Sequence, residues 1–541
     1  MKEFVLSANA ALRGSVPAAA ALNLILLVIL LAWNGKAISG LLGRIDRKTL
    51  LLAVAVTLFA FALRMLVPHH QHITFADEHD YMLAAKTLLE EHSQGWYTRC
   101  IGWPLLLAVS FGIFGVSPQA AINTSAALGA ATVFAFFLLA YSVTKKERLS
   151  LAGALIFSVL PVHIRWSACA ETNVASLFAI IAVMFFCFLY FESGKASLLW
   201  LCAAGLAFVC QFRPENNFYP LLFLAGCAIF KGGKRGRIAP AAIIPAALIL
   251  ALALPNLAQI SAHQLFTDWI ASDTGGLMTG DNWSLYNLLH NSYRYGWEIF
   301  SGKLLPIPVT ILAAAGAWRM CALVEKRKEF LFLAVWFCML WLAYFSSWMQ
   351  TLQGRDRFHM SFYPIIIIFA CYGFEYVAGF ARRQAAGIRF PARRSPAVIM
   401  AVLVLSFIPW IVISRFMYAD EQSRLETRLP DLAKRDIPAD YIIIANWPQI
   451  LKATTDLRVI RTSDLLENPG NRKLLLNCDC ALFLEDKSCG PDELGKANCE
   501  RVLKEFTAVP YKSYREGRVK YTFYKLSGKF PAGSTGPGKI F

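Results

Sequence analysis

The chain has 541 residues, of which 57% are hydrophobic and only 16% are charged, and its mean hydropathy is +0.47. Soluble globular proteins carry roughly a quarter charged residues, so this composition excludes an ordinary soluble protein and indicates many membrane spans. The formal charge of +17 does not indicate a nucleic-acid partner, because the basic residues form short clusters between apolar runs, as cytoplasmic loops do.

Apolar runs of about 17 to 25 residues, the length that a bilayer requires, recur through the first 415 positions. The first run follows Lys2 and Arg13 without a clear cleavage site, which predicts a retained span or an interfacial helix instead of a signal peptide. We therefore predict a polytopic α-helical membrane protein of about 11 to 12 transmembrane helices, near residues 16–33, 49–67, 119–142, 149–166, 172–191, 197–212, 217–230, 239–257, 304–322, 330–348, 361–380 and 397–415.

The stretch Ile101 to Gly115 is short and interrupted by Gly and Pro, which favours a re-entrant or interfacial helix. With that assignment, five basic clusters fall on one side of the membrane, and the positive-inside rule places them in the cytoplasm. They are Lys36 to Lys48, Lys145 to Arg148, Lys231 to Arg237, Lys326 to Lys328 and Arg382 to Arg394. Segments 68–100, 258–303 and 349–360, and everything after about residue 416, are then extracytoplasmic.

The composition becomes polar after Arg415, and four short apolar runs there predict strands at Tyr441–Ala445, Leu457–Ile460, Ala481–Leu484 and Val519–Tyr524. Trp447–Thr454 and Cys499–Phe506 can be helical. We predict four segments: 1–48, an extra N-terminal helix and basic loop; 49–415, the transmembrane domain; 416–528, a small extracytoplasmic α/β domain; and 529–541, a flexible tail rich in Gly, Pro and Ser.

Four of the 13 cysteines lie in this tail domain. An even, clustered set in an oxidising compartment favours two disulfides, in any of three pairings. A zinc site and free thiols are the alternatives, although C-x-C lacks the usual zinc-knuckle spacing. The four residues are Cys478, Cys480, Cys489 and Cys499.

An acidic cluster, Asp77, Glu78 and Asp80, opens an amphipathic segment just beyond the second apolar run. A helix N-terminus attracts carboxylates as caps, but capping needs only one. The more specific hypothesis is that one of these carboxylates is a general base, which deprotonates an acceptor hydroxyl or amine. Asp80 could be only a solvated neighbour.

Three further polar groups lie at the same predicted boundary of the membrane. Each can be ordinary interfacial anchoring, and Arg165 and Glu171 can simply pair with each other. Arginine, however, suits bidentate phosphate binding, and arginines beside carboxylates at one membrane face fit a substrate that is half lipid and half phosphate. The groups contain Arg165 and Glu171, then Arg213 and Glu215, then Asp356, Arg357 and His359, with Arg99 preceding the re-entrant segment.

Four motifs resemble those of one known superfamily. They are Asp77-Glu78 with Tyr81, the segment Arg99 to Gly115 with its Pro and Phe-Gly, Glu171 after Leu160-Pro161, and Arg357 with Pro364. They are similar to motifs of the GT-C glycosyltransferases, in the branch of the protein O-mannosyltransferases and the lipid A aminoarabinose transferases. By topology the resemblance covers about residues 49–415. Glu171 stands where the branch usually has aspartate, and the tail has no Trp-Trp-Asp-Tyr-Gly motif of the asparagine-glycosylating enzymes.

The resemblance implies an inverting transferase that moves a sugar from a polyprenyl phosphate to an extracytoplasmic acceptor, which is a protein, glycolipid or polymer. Asp77 would take the acceptor's proton, Glu78 and Glu171 would position the acceptor or a metal, and Arg99, Arg213 and Arg357 would hold the phosphate. Tyr81, Arg165, Glu215 and His359 complete the expected substrate site.

Three points stay open at this stage. A divalent metal on Asp77 and Glu78 is the one cofactor considered, and adjacent residues rarely converge on one ion. Trp269, Trp283, Tyr286 and Tyr293 of the loop 258–303 either stack on the sugar or form an interfacial aromatic belt. A transporter or lipid flippase is the alternative function, but transporters usually carry charges at mid-membrane and show internal repeats. The predicted location is the cytoplasmic (inner) membrane.

Overall fold

The structure is a computed structural model that divides into two compact units. The first comprises Met1–Gln71 and Ala84–Ala419, and the second comprises His72–Leu83 and Asp420–Phe541. The structure describes residues 2–67, 73, 76–93, 99–231, 244–245, 247–248, 251–252, 284–301, 304–346, 356–384, 395–470, 472, 480–486, 489 and 493–528.

The first unit is built from α-helices. In chain order they are α1 Lys2–Trp33, α2 Gly35–Leu42, α3 Arg47–Leu66, α4 Ala76–Glu91 (shared with the second unit), α5 Gly102–Phe114, α6 Pro118–Thr144, α7 Glu147–Ser158, α8 Pro161–Ser167, α9 Thr172–Ser193, α10 Ala196–Cys210, α11 Tyr219–Lys231, α12 Leu285–Tyr295, α13 Ile307–Ala322, α14 Arg327–Phe345, α15 Asp356–His359, α16 Tyr363–Gln384, α17 Ser395–Leu405 and α18 Ile408–Ser423. Short 3-10 helices cover Pro214–Phe218, Gly296–Phe300, Val324–Lys326 and Met360–Phe362.

Seven helices within the described residues are long and apolar enough to cross a membrane. They include α3, α6 and α9, and the part of α1 from Gly14 to Trp33. Three other predicted spans are shorter helices, α10, α11 and α13, of 15, 13 and 16 residues. The segment 101–115 forms the 13-residue helix α5. Most of the predicted span 239–257 lies outside the described residues.

The predicted span 149–166 is not one straight helix, because the structure divides it into α7 and α8, which are bent by 60°. Pro161 is the first residue of α8. A proline has no N–H to donate and its ring clashes with the preceding turn, so a helix ends before it and a new one begins with it. The chain therefore changes direction between α7 and α8, just before the polar sequence around Arg165.

Several of the predicted cytoplasmic basic clusters meet at one end of this unit. Arg44 and Lys145 both pair with Glu192, at 3.4 and 2.5 Å, and Lys146 pairs with Glu375 at 2.5 Å. Lys326 Nζ donates to the carbonyl of Val143. The three ion pairs are exposed, so they contribute little stability. They show, however, that loops far apart in sequence lie at the same end of the helices. Side chains of 381–399, and residues 232–237, lie outside the description.

The second unit contains a five-stranded sheet in the order β2-β1-β3-β5-β4. The strands are β1 Ile442–Ala445, β2 Arg458–Arg461, β3 Ala481–Glu485, β4 Phe506–Glu516 and β5 Val519–Gly528. β1 pairs in parallel with β2 and β3, whereas β5 pairs antiparallel with β3 and β4, with Ile443 opposite Val459 and Leu482. Its helices are α19 Leu425–Asp436, α20 Gln449–Lys452, α21 Thr462–Glu467 and α22 Glu493–Glu505.

Both faces of the central strands are covered. Ile443, Leu482 and Leu484 pack in one cluster with residues of α19, and Ile444 and Phe483 pack in a second cluster with residues of α21 and α22. A strand that is buried on both faces has a continuous apolar sequence. For this reason β1 and β3 could be predicted.

The structure shows three elements of this unit that the sequence prediction omitted, α19, α21 and β4. β4 is an edge strand, mostly exposed, and its register shifts between Pro510 and Lys512. An exposed edge strand has no buried face to impose alternation, and it tolerates a proline, so its sequence lacks the usual signal.

Cysteines of the second unit form disulfides. Cys489 is bonded to Cys499, with Cα atoms 5.6 Å apart, and Cys480 is also disulfide-bonded. Cys478 lies outside the described residues, as does the predicted tail 529–541. The other described cysteines are free thiols, most of them buried in the first unit.

Asp436, at the end of α19, anchors this helix to the hairpin of β4 and β5. Its carboxylate accepts hydrogen bonds from Arg435, from Tyr514 Oη at 2.9 Å and from Lys512 Nζ at 3.2 Å. These donors, Arg435 foremost, hold the pKa of the Asp436 carboxyl well below its usual range.

Asp436→Asn is therefore expected to lower the Tm of the full chain at pH 7. A depressed carboxyl pKa contributes stability above the unfolded value of about 3.9 and loses it as the pH falls through the lower folded value. The Tm difference from the parent protein should accordingly narrow below about pH 4. Thermal unfolding between pH 3 and 7 measures this, with the exposed Asp440→Asn as control. A pH-independent difference would contradict the assignment.

Candidate functional site

The predicted acidic residues lie on α4, with Asp77 and Glu78 in its first turn. The part of α4 up to Leu83 belongs to the second unit, and the rest of this helix belongs to the first. Glu78 is 1% exposed and Tyr81 is buried. Asp80 is also buried, so its interpretation as a solvated neighbour was wrong. Burial lowers the pKa of the adjacent His79 to about 3, so this imidazole is neutral at pH 7.

The predicted polar groups around Arg165, Arg213 and Arg357 form one cluster in the first unit. Glu171, just before α9, is 1% exposed, and its Oε1 accepts from Arg357 Nη1 at 3.0 Å. Its Oε2 accepts from Asn173 Nδ2 at 3.4 Å. Folding thus brings Arg357, 186 positions later in the chain, to the carboxylate of Glu171.

Arg213 extends the network from the turn after α10. Its guanidinium donates to the Asn173 side-chain oxygen and pairs with Glu215. The side chains of Arg213 and Glu215 are 13% and 3% exposed. Asn173 thus connects the two ion pairs, Glu171–Arg357 and Arg213–Glu215, in one continuous chain of hydrogen bonds. Because an isolated buried charge is very unfavourable, each member depends on its partners.

Arg165, on α8, pairs with Asp356 at 3.6 Å. Trp166 Nε1 donates to the same carboxylate, to Oδ2, at 3.3 Å. The guanidinium of Arg357 lies 5.6 Å from the Trp166 ring centroid, within cation–π range.

The ring of Phe358 lies near two of the three arginines. The guanidinium carbons of Arg213 and Arg357 lie 4.8 and 5.2 Å from its ring centroid. Both guanidinium groups therefore lie within cation–π range of one aromatic ring. The cluster therefore presents closely spaced guanidinium groups, the geometry suited to a multivalent oxyanion such as phosphate. Its three arginines are balanced in formal charge by three carboxylates.

Helix α5, the predicted re-entrant segment, is fixed beside this cluster. Trp103 Nε1 donates to the carbonyl of Ala170, next to Glu171, at 2.7 Å. The Gly102 amide donates to the carbonyl of Gln211 at 2.7 Å, and a Cβ at Gly102 would come within 2.8 Å of that oxygen. Only glycine permits this approach. Arg99, just before α5, is exposed, unlike the arginines of the cluster.

A small cavity adjoins Glu215. Its lining includes Tyr219, Trp336, Leu340 and Tyr344. The carboxylate of Glu215 is buried and lies within hydrogen-bonding reach of the Tyr344 hydroxyl. A carboxylate oxygen beside aromatic rings is suited to receive a hydroxyl or a water. His359 is fully buried and its ring is parallel to that of Phe345, with centroids 6.2 Å apart.

Sequence reasoning gave Asp356, Asn173 and Trp166 no role of their own in the site, and it missed Phe358. The available signal was that Arg165 and Arg357 are each followed directly by an aromatic residue. Within the described part of the chain, no group of three or more His, Cys, Asp or Glu side chains is arranged to hold a metal ion. Trp269 and Trp283 lie outside it, while Tyr286 and Tyr293 are exposed on α12.

Comparisons with known proteins give one sequence match and several structural matches. Residues 99–258 match the sequence model of the family described as dolichyl-phosphate-mannose-protein mannosyltransferase. The crystal structure of ArnT from Cupriavidus metallidurans bound to undecaprenyl phosphate has a TM-score of 0.59 at 12% identity, covering 91% of this chain and 100% of that one. The apo form of ArnT gives 0.57 at 10% identity, covering 88% and 98%. No curated protein matches in sequence.

The match to the protein O-mannosyltransferase complex Pmt1-Pmt2 of S. cerevisiae, bound to the sugar donor, covers 45% of this chain and 36% of that chain, at 16% identity and a TM-score of 0.32. That similarity is too low to carry a structural argument. The predicted fold class is confirmed by the ArnT comparison. The chain is thus an integral membrane protein with the GT-C fold, and it resembles the protein O-mannosyltransferase and aminoarabinose transferase branch of that superfamily.

Proposed function

We propose that this chain is a glycosyltransferase that moves a sugar from a polyprenyl phosphate to an extracytoplasmic acceptor. The observation that carries the proposal is the buried network in which Asn173 connects Glu171–Arg357 to Arg213–Glu215. It supplies closely spaced guanidinium groups in a chain whose fold is that of ArnT, which was crystallised with undecaprenyl phosphate.

The lipid phosphate is the leaving group of this reaction. The acceptor oxygen or nitrogen forms a bond to the anomeric carbon of the sugar, the bond from that carbon to the phosphate oxygen breaks, and its electron pair leaves with the phosphate. Arg213 and Arg357 stabilise the added negative charge. Since both are already paired with carboxylates, the phosphate binds by sharing or replacing those contacts. Arg99 and Arg165 are the further cations assigned to the phosphate.

Asp77 is the proposed general base, taking the acceptor's proton as the new bond forms. Glu78 and Tyr81 position the acceptor on the same helix. Glu171 holds Arg357 in place, Glu215 holds Arg213, and His359 completes the substrate site. A single displacement inverts the configuration at the anomeric carbon.

The proposed location is the cytoplasmic membrane, with the active site and the C-terminal domain on its extracytoplasmic side. The basic residues Arg44, Lys145, Lys146 and Lys326 support this orientation, because they gather at one end of the first unit. Disulfides in the second unit are also typical of an oxidising compartment.

The test supplies the purified protein with undecaprenyl phosphate-linked sugars and follows release of undecaprenyl phosphate by mass spectrometry. Asp77→Asn should reduce the release rate by about 100-fold or more, the usual contribution of a general base. Asp440→Asn, on the exposed surface, is the matched control and should release at the parent rate.

Two results would contradict the proposal in different ways. Release at the parent rate by folded Asp77→Asn would remove Asp77 from the mechanism but leave the transferase assignment. Movement of the lipid-linked sugar across a vesicle bilayer, with no release of undecaprenyl phosphate from any donor, would instead support the alternative function, a flippase.

A further inference from the structure

Arg64, in the last turn of α3, is a buried cation that the proposed reaction does not use. It is 2% exposed, within the apolar span Arg47–Leu66. A charged side chain inside a membrane span is costly, so it is retained where it has a defined task.

Among the residues that the structure describes, the hydrogen-bond partners of Arg64 are neutral groups. Its Nη1 donates to the carbonyls of Ala60, at 2.7 Å, and Ser158, at 3.3 Å. Its Nε donates to Ser167 Oγ at 3.2 Å, and its Nη2 donates to His163 Nδ1 at 2.5 Å. Four of the five N–H donors of the guanidinium are thereby engaged. This arrangement is that of a structural crosslink and leaves little capacity for an external anion.

Arg64 bridges the break between α7 and α8. Ser158 is the last residue of α7, whose final carbonyls have no helical partner. His163 and Ser167 belong to α8. One side chain thus holds both helices of a pair bent by 60°.

Gly129 on α6 leaves the space for this crosslink. A Cβ at that position would lie 3.0 Å from Arg64 Nε and would overlap Ser167 Oγ. The crosslink is therefore enclosed on the side of α6 as well.

The direction of α8 determines where its side chains meet the arginine cluster. Arg165 and Trp166, on α8, both contact Asp356, at 3.6 and 3.3 Å, and Arg357 lies over the Trp166 ring. We propose that Arg64 is a positioning residue: by holding α8 against the end of α7, it sets the geometry of Arg165 and Arg357 for phosphate binding. This inference rests on the proposed function.

The test measures KM for the lipid-linked donor, kcat, and the Kd for undecaprenyl phosphate. Arg64→Met should raise KM and Kd by about 10- to 100-fold, the usual effect of losing a supporting contact around a binding site, with a smaller change in kcat. Arg64→Lys, which keeps the charge but not the planar fork, should give an intermediate rise.

Gly129→Ala perturbs the crosslink without changing Arg64, and it should raise KM and Kd in the same direction. It serves as the second variant if Arg64→Met does not fold. Gly40→Ala is its matched control, since a Cβ there meets no atom within 4 Å.

Arg357→Met separates this inference from the proposed function. If folded Arg357→Met binds undecaprenyl phosphate as the parent does, the proposed function has failed and the inference fails with it. If Arg357→Met loses binding while Arg64→Met and Gly129→Ala keep the parent KM and Kd, the positioning role alone is overturned.

Discussion

Replacing Arg357 with methionine is expected to destabilise the protein and to abolish binding of undecaprenyl phosphate. The variant leaves Glu171, 1% exposed, as a buried carboxylate without its cationic partner. Breaking a buried ion pair in this way typically costs about 3–5 kcal/mol. The same change removes a guanidinium that we assign to the phosphate, and charge-assisted contacts of this kind contribute strongly to anion binding.

The double variant Glu171→Gln/Arg357→Met separates these two effects. It removes both charges of the pair, so thermal stability should largely return, because replacing a buried pair by neutral groups is often tolerated. Binding of undecaprenyl phosphate should not return. The Tm and the Kd together measure this.

Arg44→Met is the matched control. Arg44 also pairs with a glutamate, Glu192, but both side chains are exposed, at 68% and 42%. An exposed pair contributes roughly 0–1 kcal/mol, so this variant should keep both the Tm and the Kd. Recovery of phosphate binding in the double variant would show that Arg357 has only a structural role.

Alanine at Gly316 is expected to prevent folding of the first unit. Gly316, on α13, faces Gly373, on α16, and the two helix backbones touch there. A methyl group at Gly316 would overlap the Phe369 carbonyl oxygen and lie 2.6 Å from the Gly373 amide nitrogen. Small residues permit such close approach of membrane helices, and backbone atoms cannot move aside as a flexible side chain can.

Size-exclusion chromatography and thermal unfolding in detergent check this prediction. Gly316→Ala should give aggregated or absent protein, and Gly373→Ala should do the same, because its methyl would overlap the Leu312 carbonyl oxygen. Gly40→Ala should behave as the parent. A monodisperse Gly316→Ala protein with the parent Tm would show that α13 and α16 can separate at little cost.

The elements that could be predicted are those with a strong local signal. Long apolar runs predicted α6 and α9, and the apolar strands β1 and β3 were visible for the same reason. Elements whose pattern is weak or interrupted were not: the exposed edge strand β4 and the helix α19 were omitted, and the span at 149–166 was drawn through Pro161. Local pattern reports burial, and it is weak in the exposed strand β4, while Pro430 lies inside α19 and Pro161 begins the second helix of the bent pair.

The candidate site could also be predicted only in part from the sequence. The sequence identified Arg165, Glu171, Arg213, Glu215 and Arg357 as polar residues out of place in apolar surroundings. It did not identify their partners, because side chains such as Glu171 and Arg357 meet across 186 positions. The roles of the aromatic residues at the arginines, and of Arg64 inside a span, depend on tertiary contacts that the sequence does not show.

The sequence alone therefore determined that this is a polytopic membrane protein with a small α/β domain, and that arginines and carboxylates gather in the polar segments between its spans. Hydrophobic length and charge placement are local properties, and a chain carries them before it folds. Only the tertiary structure decided that Glu171 pairs with Arg357, and that Asn173 joins this pair to Arg213. Partner choice depends on distances that exist only once the helices have packed.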